Sequence, residues 1–536
     1  MPASEARVRT DRAGRYLAQL CNHGSQMSRE ATHPPRGHGG DAPPAVRHAD
    51  ATDTDGLIDF DGGRCTLRAT AEALTLTAEA DDPQNLQRIQ DGIARRLERI
   101  GRRDRLTVTW QQPPPDAASG EPADEPASAA AILDVLMAPE GRADPFPLYA
   151  RAHEIGPVSA IADGAFLVSG CAAVNQVLRD PGFGLPEPSG VSSADGELLS
   201  LARSILRANP PDHGRMRALI GQVFTPRRVA ALQPVIEDAV DVLLDRLAYA
   251  GTGGRTADFM DQFAYQLPVT VICELLGVPA SDHDKFRPLA ADLTEALELS
   301  ADSDLGPAAA AAARELTGYF TDMIAERRVS PRDDLIGALV AARDADDGRL
   351  TESELLANLV VLLVAGFETT TNLLGNGLAI LLEHPELAAA LRSGTVEISG
   401  FVEEVLRFDS PVQVTTRVAR EENLHVARLP IPPGSVLILL IGAANRDPDR
   451  YCEPDSFDPT RTDVKPLSFG AGAHFCLGNG LARLEAAVAF PRLLARFPAL
   501  TTAPGQHPVR RDRLVLRGYQ SLPIRIADDY GRGVGS

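Results

Sequence analysis

FGAGAHFCLGNGLARLE, residues 469–485, sets a single cysteine among glycines and runs directly into a helical pattern. Gly470, Gly472 and Gly478 bracket Cys476, and glycines there permit tight turns and a close approach of backbone to a flat ligand. Leu481, Ala482, Leu484 and Glu485 follow at helical spacing, so Cys476 falls at or near a helix N-terminus. The helix dipole and free N–H groups at such an end stabilise a thiolate, which is what an iron–thiolate bond requires. A lone cysteine is more often a buried structural residue. The bracketing glycines and His474 weigh against that reading here.

The chain around this stretch has 536 residues, too many for one small core, so two domains are expected, one of them large. Its hydrophobic fraction of 44% is that of ordinary globular protein. A net charge of −20 lacks the basic footprint of a nucleic-acid binder. The six cysteines are scattered without paired spacing, which argues against a disulfide framework or a zinc ribbon and for a reducing compartment. Glu5, Arg7, Arg9 and Asp11 precede any apolar run, unlike a signal peptide. The longest apolar stretch, 355–366, is interrupted by Asn358 and is shorter than the roughly 20 residues of a bilayer span. A cytoplasmic protein with no membrane segment is therefore expected.

Residues 113–131 are rich in Pro, Ala and acid, a composition that builds no core and reads as a linker. It separates a small unit, 1–112, from a large one, 132–536. In the small unit, Tyr16, Leu17 and Leu20 suggest a short helix, and a Pro/Gly/His-rich gap follows at 32–55. LIDF (57–60), CTLRA (65–69) and LTLTA (74–78) read as strands, and Leu86 to Ile100 as a helix. Leu106, Val108 and Trp110 alternate with polar residues and predict a closing strand. The result is a small α+β domain. The large unit is mainly α with small β-sheets. Helices are expected at 147–154, 172–179, 211–223, 228–249, 258–276, 281–298, 309–328, 333–343, 351–383, 386–392 and 397–408, with strand pairs at 158–169 and 424–441. The segment 351–383 opens on a capping box, Thr351 with Glu354, and is apolar nearly all round, the mark of a helix buried on every side.

The pattern FxxGxxxCxG, filled by Phe469, Gly472, Cys476 and Gly478, resembles the haem-binding loop of cytochromes P450. The resemblance covers about 132–527 and implies the P450 fold, haem b as cofactor and Cys476 as the proximal iron ligand. Phe469 and Gly470 belong to the same cofactor loop. Glu404 and Arg407, at i and i+3 in the apolar run FVEEVLRF, resemble the family's Glu-x-x-Arg helix, with Arg461 of FDPTR completing a buried network. Gly366 sits mid-helix, where glycine costs roughly 1 kcal/mol against alanine, so a close approach to it is expected. Beside it, Glu368 and Thr369 resemble the distal proton relay, the hydroxyl serving dioxygen and the acid feeding protons through water. His213, Arg217, Arg417 and His474 match the positions that bind the haem propionates, anions that require cationic donors.

The resemblance implies a monooxygenase that inserts one oxygen atom of O2 into a small lipophilic or natural-product-like molecule. No flavin or nicotinamide fingerprint and no iron–sulfur cysteine cluster is evident, so NAD(P)H-derived electrons are expected from a ferredoxin and its reductase. The rival readings are a haem-binding or sensing protein without turnover, or a peroxide-driven peroxygenase; the Glu368–Thr369 pair favours the monooxygenase. Substrate contacts are expected from 185–206, 290–310, Leu362, Ala365, Val412 to Val414, and Tyr519 to Ser521. VRTDRAGRYLAQLCNHGSQ (8–26) and LTVTW (106–110) resemble a bacterial domain family of unknown function, sometimes found near siderophore-utilisation proteins. The spacing of His23, His33, His38 and His48 fits no standard metal site.

Overall fold

The computed structural model describes residues 3–526 apart from 22–45, 52–54, 70–72, 111–127, 187–202, 295–297, 299–306 and 346–349, and shorter gaps at 11, 18, 61, 81–82, 102–105, 107, 109 and 223. The chain divides into two compact units, Met1–Asp124 and Glu125–Ser536.

In the small unit, ALTLTAEA alternates as a strand must when one face is buried: Leu74, Leu76, Ala78 and Ala80 point inward. That strand, Ala73–Ala80, lies second in an antiparallel sheet ordered Ala3–Arg9, Ala73–Ala80, Gly63–Ala69, Asp55–Phe60, Val46–Ala51. The helix Pro83–Ile100 lays Ile89, Ile93 and Leu97 on the core, one residue per turn on one face. Residues 13–17 and 19–21 are helical and add Tyr16, Leu17 and Leu20. Two expectations are corrected. Residues 46–51, read as part of a gap, form a strand. Leu106, Val108 and Trp110, read as a strand, are not assigned to one among the described residues. Instead Leu106 donates its N–H to the Gly101 carbonyl and packs over a glycine whose Cβ would sit 2.4 Å from its side chain. Leu106 thus closes the helix end. His23, His33 and His38 lie outside the described residues.

The large unit is built around the 32-residue helix Glu352–Glu383. Its capping box forms as predicted: the Thr351 hydroxyl accepts from the Glu354 N–H at 3.2 Å, and the Glu354 carboxylate accepts from the Thr351 N–H at 2.8 Å. Helices Gln266–Leu276, His283–Thr294, Pro307–Val329 and Asn479–Arg496 pack on it. By length and composition this helix could cross a membrane, but two thirds of its most apolar window is covered by the rest of the unit, so it is the core helix. The expected helix 228–249 breaks at Leu232, because Pro234 in the following turn cannot continue the hydrogen-bond ladder; 226–231 and 233–250 are separate. The expected helix 258–276 begins as a π turn, Met260–Ala264. The strands near 158–169 and 436–440, read as separate pairs, meet through a parallel pairing of Ala165–Val168 with Val436–Leu440. Ser128 caps a helix, Ala129–Met137, that starts inside the stretch read as linker.

Candidate active site

The cysteine loop is held from both ends. Leu467–Phe469 forms a tight turn, and Gly470 and Gly472 follow with φ of +69° and +66°, values side-chain-bearing residues rarely adopt. A Cβ on Gly472 would also lie 2.3 Å from the Leu178 carbonyl oxygen, so glycine alone lets the loop rest on helix Cys171–Arg179. The Cys476 N–H donates to the Phe469 carbonyl at 2.9 Å, closing the turn. Helix Asn479–Arg496 starts immediately after, and the N–H groups of Gly478 and Asn479 face the sulfur. Burial pushes the thiol pKa up; those two amides, Arg217 and Arg483 pull it back.

Cys476 opens onto a cavity of about 340 Å³. One wall carries the four predicted cationic residues together. The His213 and His474 rings lie 3.9 Å apart, tilted by 40°, Arg217 donates to the Phe475 carbonyl at 2.7 Å, and Arg417 donates to the Thr416 carbonyl at 2.7 Å. Burial depresses each of their pKa values, and mutual repulsion adds to this for the histidines, bringing His474 down to about 3. The buried His213 Nε2 has no hydrogen-bond partner. A buried and a half-buried guanidinium group, an imidazole nitrogen without a partner and no carboxylate among the partners of the four in the described residues suit an anion. The propionates of a haem are such anions, a flat macrocycle matches the glycine-lined floor, and Cys476 supplies a soft ligand. The residues present therefore fit haem.

The opposite wall is the long helix. Leu362, Ala365, Gly366, Thr369, Thr370 and Leu373 line the cavity at helical spacing. A Cβ on Gly366 would meet only Ile272, at 3.4 Å, so the protein itself leaves this position open. The Thr369 hydroxyl donates to the Ala365 carbonyl at 2.8 Å. Glu368 is not in the cavity wall. It is buried on the other side of the helix, with Arg511 Nη1 at 2.7 Å and Arg513 Nη1 at 3.7 Å from its Oε1. Burial raises its pKa and the two arginines oppose the rise.

Glu404 and Arg407 form a fully buried bidentate pair, at 2.7 and 2.8 Å, and Arg461 adds a bond to Glu404 at 3.1 Å. Arg407 also donates to the carbonyls of Asn445, Pro454 and Ser456, and the Asp458 N–H donates to Glu404. Sequence reading missed the next link. Asn445 accepts from the Leu467 N–H at 2.7 Å and donates to the Ser468 hydroxyl at 2.9 Å, tying the network to the cysteine loop. Arg511 and Arg513 were also missed. They stand in VRRDRLVLRG (509–518), which reads as a charged surface run although Arg510, Arg511, Arg513 and Arg517 are all at least partly buried. Buried Glu485, whose Oε2 has no partner among the described residues, also lines the cavity, a contact that its place in FGAGAHFCLGNGLARLE did not foretell. Of the expected substrate contacts, Leu185, Ile205, Leu206, Leu362, Ala365 and Val412 line the cavity. Gln413, Val414 and Tyr519 to Ser521 do not, and most of 187–202 and 295–306 lies outside the described residues.

Comparison with known proteins agrees with this geometry. The cytochrome P450 family model matches residues 161–521, and a model for an uncharacterized protein conserved in bacteria (DUF2218) matches residues 5–111. The chain is 39% identical over 401 residues to cytochrome P450 monooxygenase PikC of Streptomyces venezuelae, covering 74% of this chain and 94% of that protein. It is 40% identical over 393 residues to vitamin D(3) 25-hydroxylase of Pseudonocardia autotrophica, covering 72% and 94%. The crystal structure of P450BioI with a hexadec-9Z-enoic acid ligated acyl carrier protein superposes with a TM-score of 0.67 at 34% identity, covering 72% of this chain and 99% of that one. With fold, cavity and relatives in agreement, the chain belongs to the cytochrome P450 family of haem-dependent monooxygenases.

Proposed function

We propose that Cys476 is the thiolate ligand of haem b, that His213, Arg217, Arg417 and His474 hold its propionates, and that Thr369 and Glu368 govern proton entry during oxidation of a lipophilic small molecule. The observation that carries the reading is the single cavity in which Cys476 faces Gly366 and Thr369, with the cationic wall beside them. Haem bound there supplies dioxygen activation, and a thiolate ligand favours O–O cleavage. The protein's residues do the rest. Phe469, Gly470 and Gly478 shape the floor, the Glu404–Arg407–Arg461 network fixes the loop, and the Thr369 hydroxyl offers a donor over the open Gly366 position.

The cavity wall around Leu185, Ile205, Leu206, Ile272 and Val412 is apolar, so binding depends on burial of apolar surface. Relatives named for a vitamin D hydroxylation and for a fatty acyl carrier complex support a lipophilic or natural-product-like substrate. Electrons come from a ferredoxin and its reductase in the cytoplasm. The sensor and peroxygenase readings gain nothing from relatives named as monooxygenases and hydroxylases. The test is turnover of a lipophilic panel with NAD(P)H and a surrogate ferredoxin pair, in parallel with hydrogen peroxide. Oxygenated product with the redox pair is expected; product with peroxide alone would replace this reading with the peroxygenase.

A further inference from the structure

Pro411 and Val412 line the cavity, and a neighbouring stretch of chain holds their backbone. Val412 pairs with Leu516 in an antiparallel bridge. On either side of that bridge the Gln413 N–H donates to the Val515 carbonyl at 2.8 Å, and the Arg517 N–H donates to the Pro411 carbonyl at 2.9 Å. In such a pairing the Leu516 N–H points away from Val412 and needs an acceptor on its far side. Glu298, which follows helix His283–Thr294, supplies one. Its Oε2 accepts from the N–H groups of Leu514 and Val515, each at 2.8 Å, and its Oε1 from that of Leu516 at 3.2 Å. Three successive backbone N–H groups converging on one carboxylate form an anion-binding nest, filled here from within the chain. Leu514 and Leu516 are buried, so packing as well as Glu298 fixes the stretch. Gln413 steadies the other end of the wall: its Oε1 accepts from the Tyr149 hydroxyl at 2.8 Å, and its Nε2 donates to the Ser410 carbonyl at 2.7 Å.

We infer that Glu298 is a positioning residue for the substrate-facing wall: by holding residues 514–516 it sets where Pro411 and Val412 stand, and so which apolar molecules the cavity accepts. The inference rests on the reading of this cavity as the site of a lipophilic substrate. Glu298 is not among the described residues that line the cavity, so it acts through Leu516 and Val412. Apolar contact falls off steeply, a quarter to a half of it being lost over a gap of about 0.5–1 Å. A loosened wall therefore loses affinity for an apolar chain while leaving a ligand held only at the haem unaffected.

Two azoles separate the wall from the haem. Imidazole ligates the iron and is too small to need the wall, whereas 1-dodecylimidazole adds a chain that must pack along it. Dissociation constants are read from the Soret shift of full-length holoprotein. Wild type should bind 1-dodecylimidazole more tightly than imidazole. Glu298→Ala should keep haem content and imidazole affinity, while its affinity for 1-dodecylimidazole falls by about fivefold, a coupling of the size that neighbouring residues show. Placed on a Val412→Ala background, the same substitution should have little further effect, because the side chain it positions is already gone. Should Glu298→Ala fail to fold, Glu298→Gln, which keeps one acceptor oxygen, carries both comparisons, with changes in the same direction. Wild-type affinity for 1-dodecylimidazole in the Glu298 variant, an equal loss of imidazole affinity, or an effect that persists in full beside Val412→Ala would overturn the proposal. A wild type that binds the two azoles alike would instead overturn the reading of the cavity as a lipophilic site.

Discussion

At the residue scale, the cavity floor was legible because its constraints are local. Gly472 must be glycine on two grounds, its φ of +66° and the Leu178 carbonyl 2.3 Å from its missing Cβ, and both lie within a short loop. The cationic wall was legible only through family resemblance, since His213 and Arg417 meet across 204 residues of chain (417 − 213). Glu368 shows the limit. Consecutive residues on a helix point about 100° apart, so it leaves the face of Thr369, and its ion-pair partners come from residues 511 and 513, which no local spacing could indicate. Thr369→Ala should therefore leave the helix intact, because the hydroxyl bonds a carbonyl already inside the helical ladder. It should keep haem and substrate binding while diverting electrons to peroxide. Peroxide released per NAD(P)H checks this; a ratio equal to wild type would remove Thr369 from oxygen chemistry.

At the element scale, the helix Glu352–Glu383 was legible because its composition leaves it no solvent face and its cap is written in Thr351 and Glu354. The π turn Met260–Ala264 and the break at Leu232 were not, since apolar periodicity runs across both. The helix Ile398–Phe408 exists as much for its buried charge as for its apolar face. Glu404→Ala leaves Arg407 buried and unpaired, at about 3–5 kcal/mol, so apoprotein or aggregate is expected. Soluble holoprotein with an unchanged melting curve would make the pair superficial. Just past the helix, Asp409 is fully buried, which alone would raise its pKa, yet Arg510 at 2.8 Å and Arg517 at 3.0 Å hold it below the ordinary carboxylate value. A depressed folded pKa contributes stability above the unfolded value of about 3.9 and loses it as pH falls through the folded one. The stability gap between wild type and Asp409→Asn should accordingly narrow as pH drops below about 4. Denaturant midpoints across that range read it, and a constant gap would assign the effect to packing.

At the scale of the whole molecule, the described residues of the small unit share one sheet-and-helix core, and those of the large unit a main core around the long helix with two smaller clusters. Every residue assigned to haem, oxygen or protons lies between His213 and Gly478, in the large unit. A chain beginning at Ser128 keeps the side-chain cap of the first helix of the large unit. It should fold, bind haem and turn over at the full-length rate with the same surrogate redox pair. Loss of haem, or a severalfold shift in substrate affinity, would give residues 1–124 a part in catalysis.

The iron ligand decides everything above, and the carbon monoxide difference spectrum of the dithionite-reduced protein reads it directly. Wild type should show the red-shifted Soret band of a thiolate-ligated ferrous haem, and Cys476→Ala should lose that band even where haem still binds. A thiolate-type band that survives Cys476→Ala would contradict the assignment of the cavity, its cationic wall and the chemistry built on them.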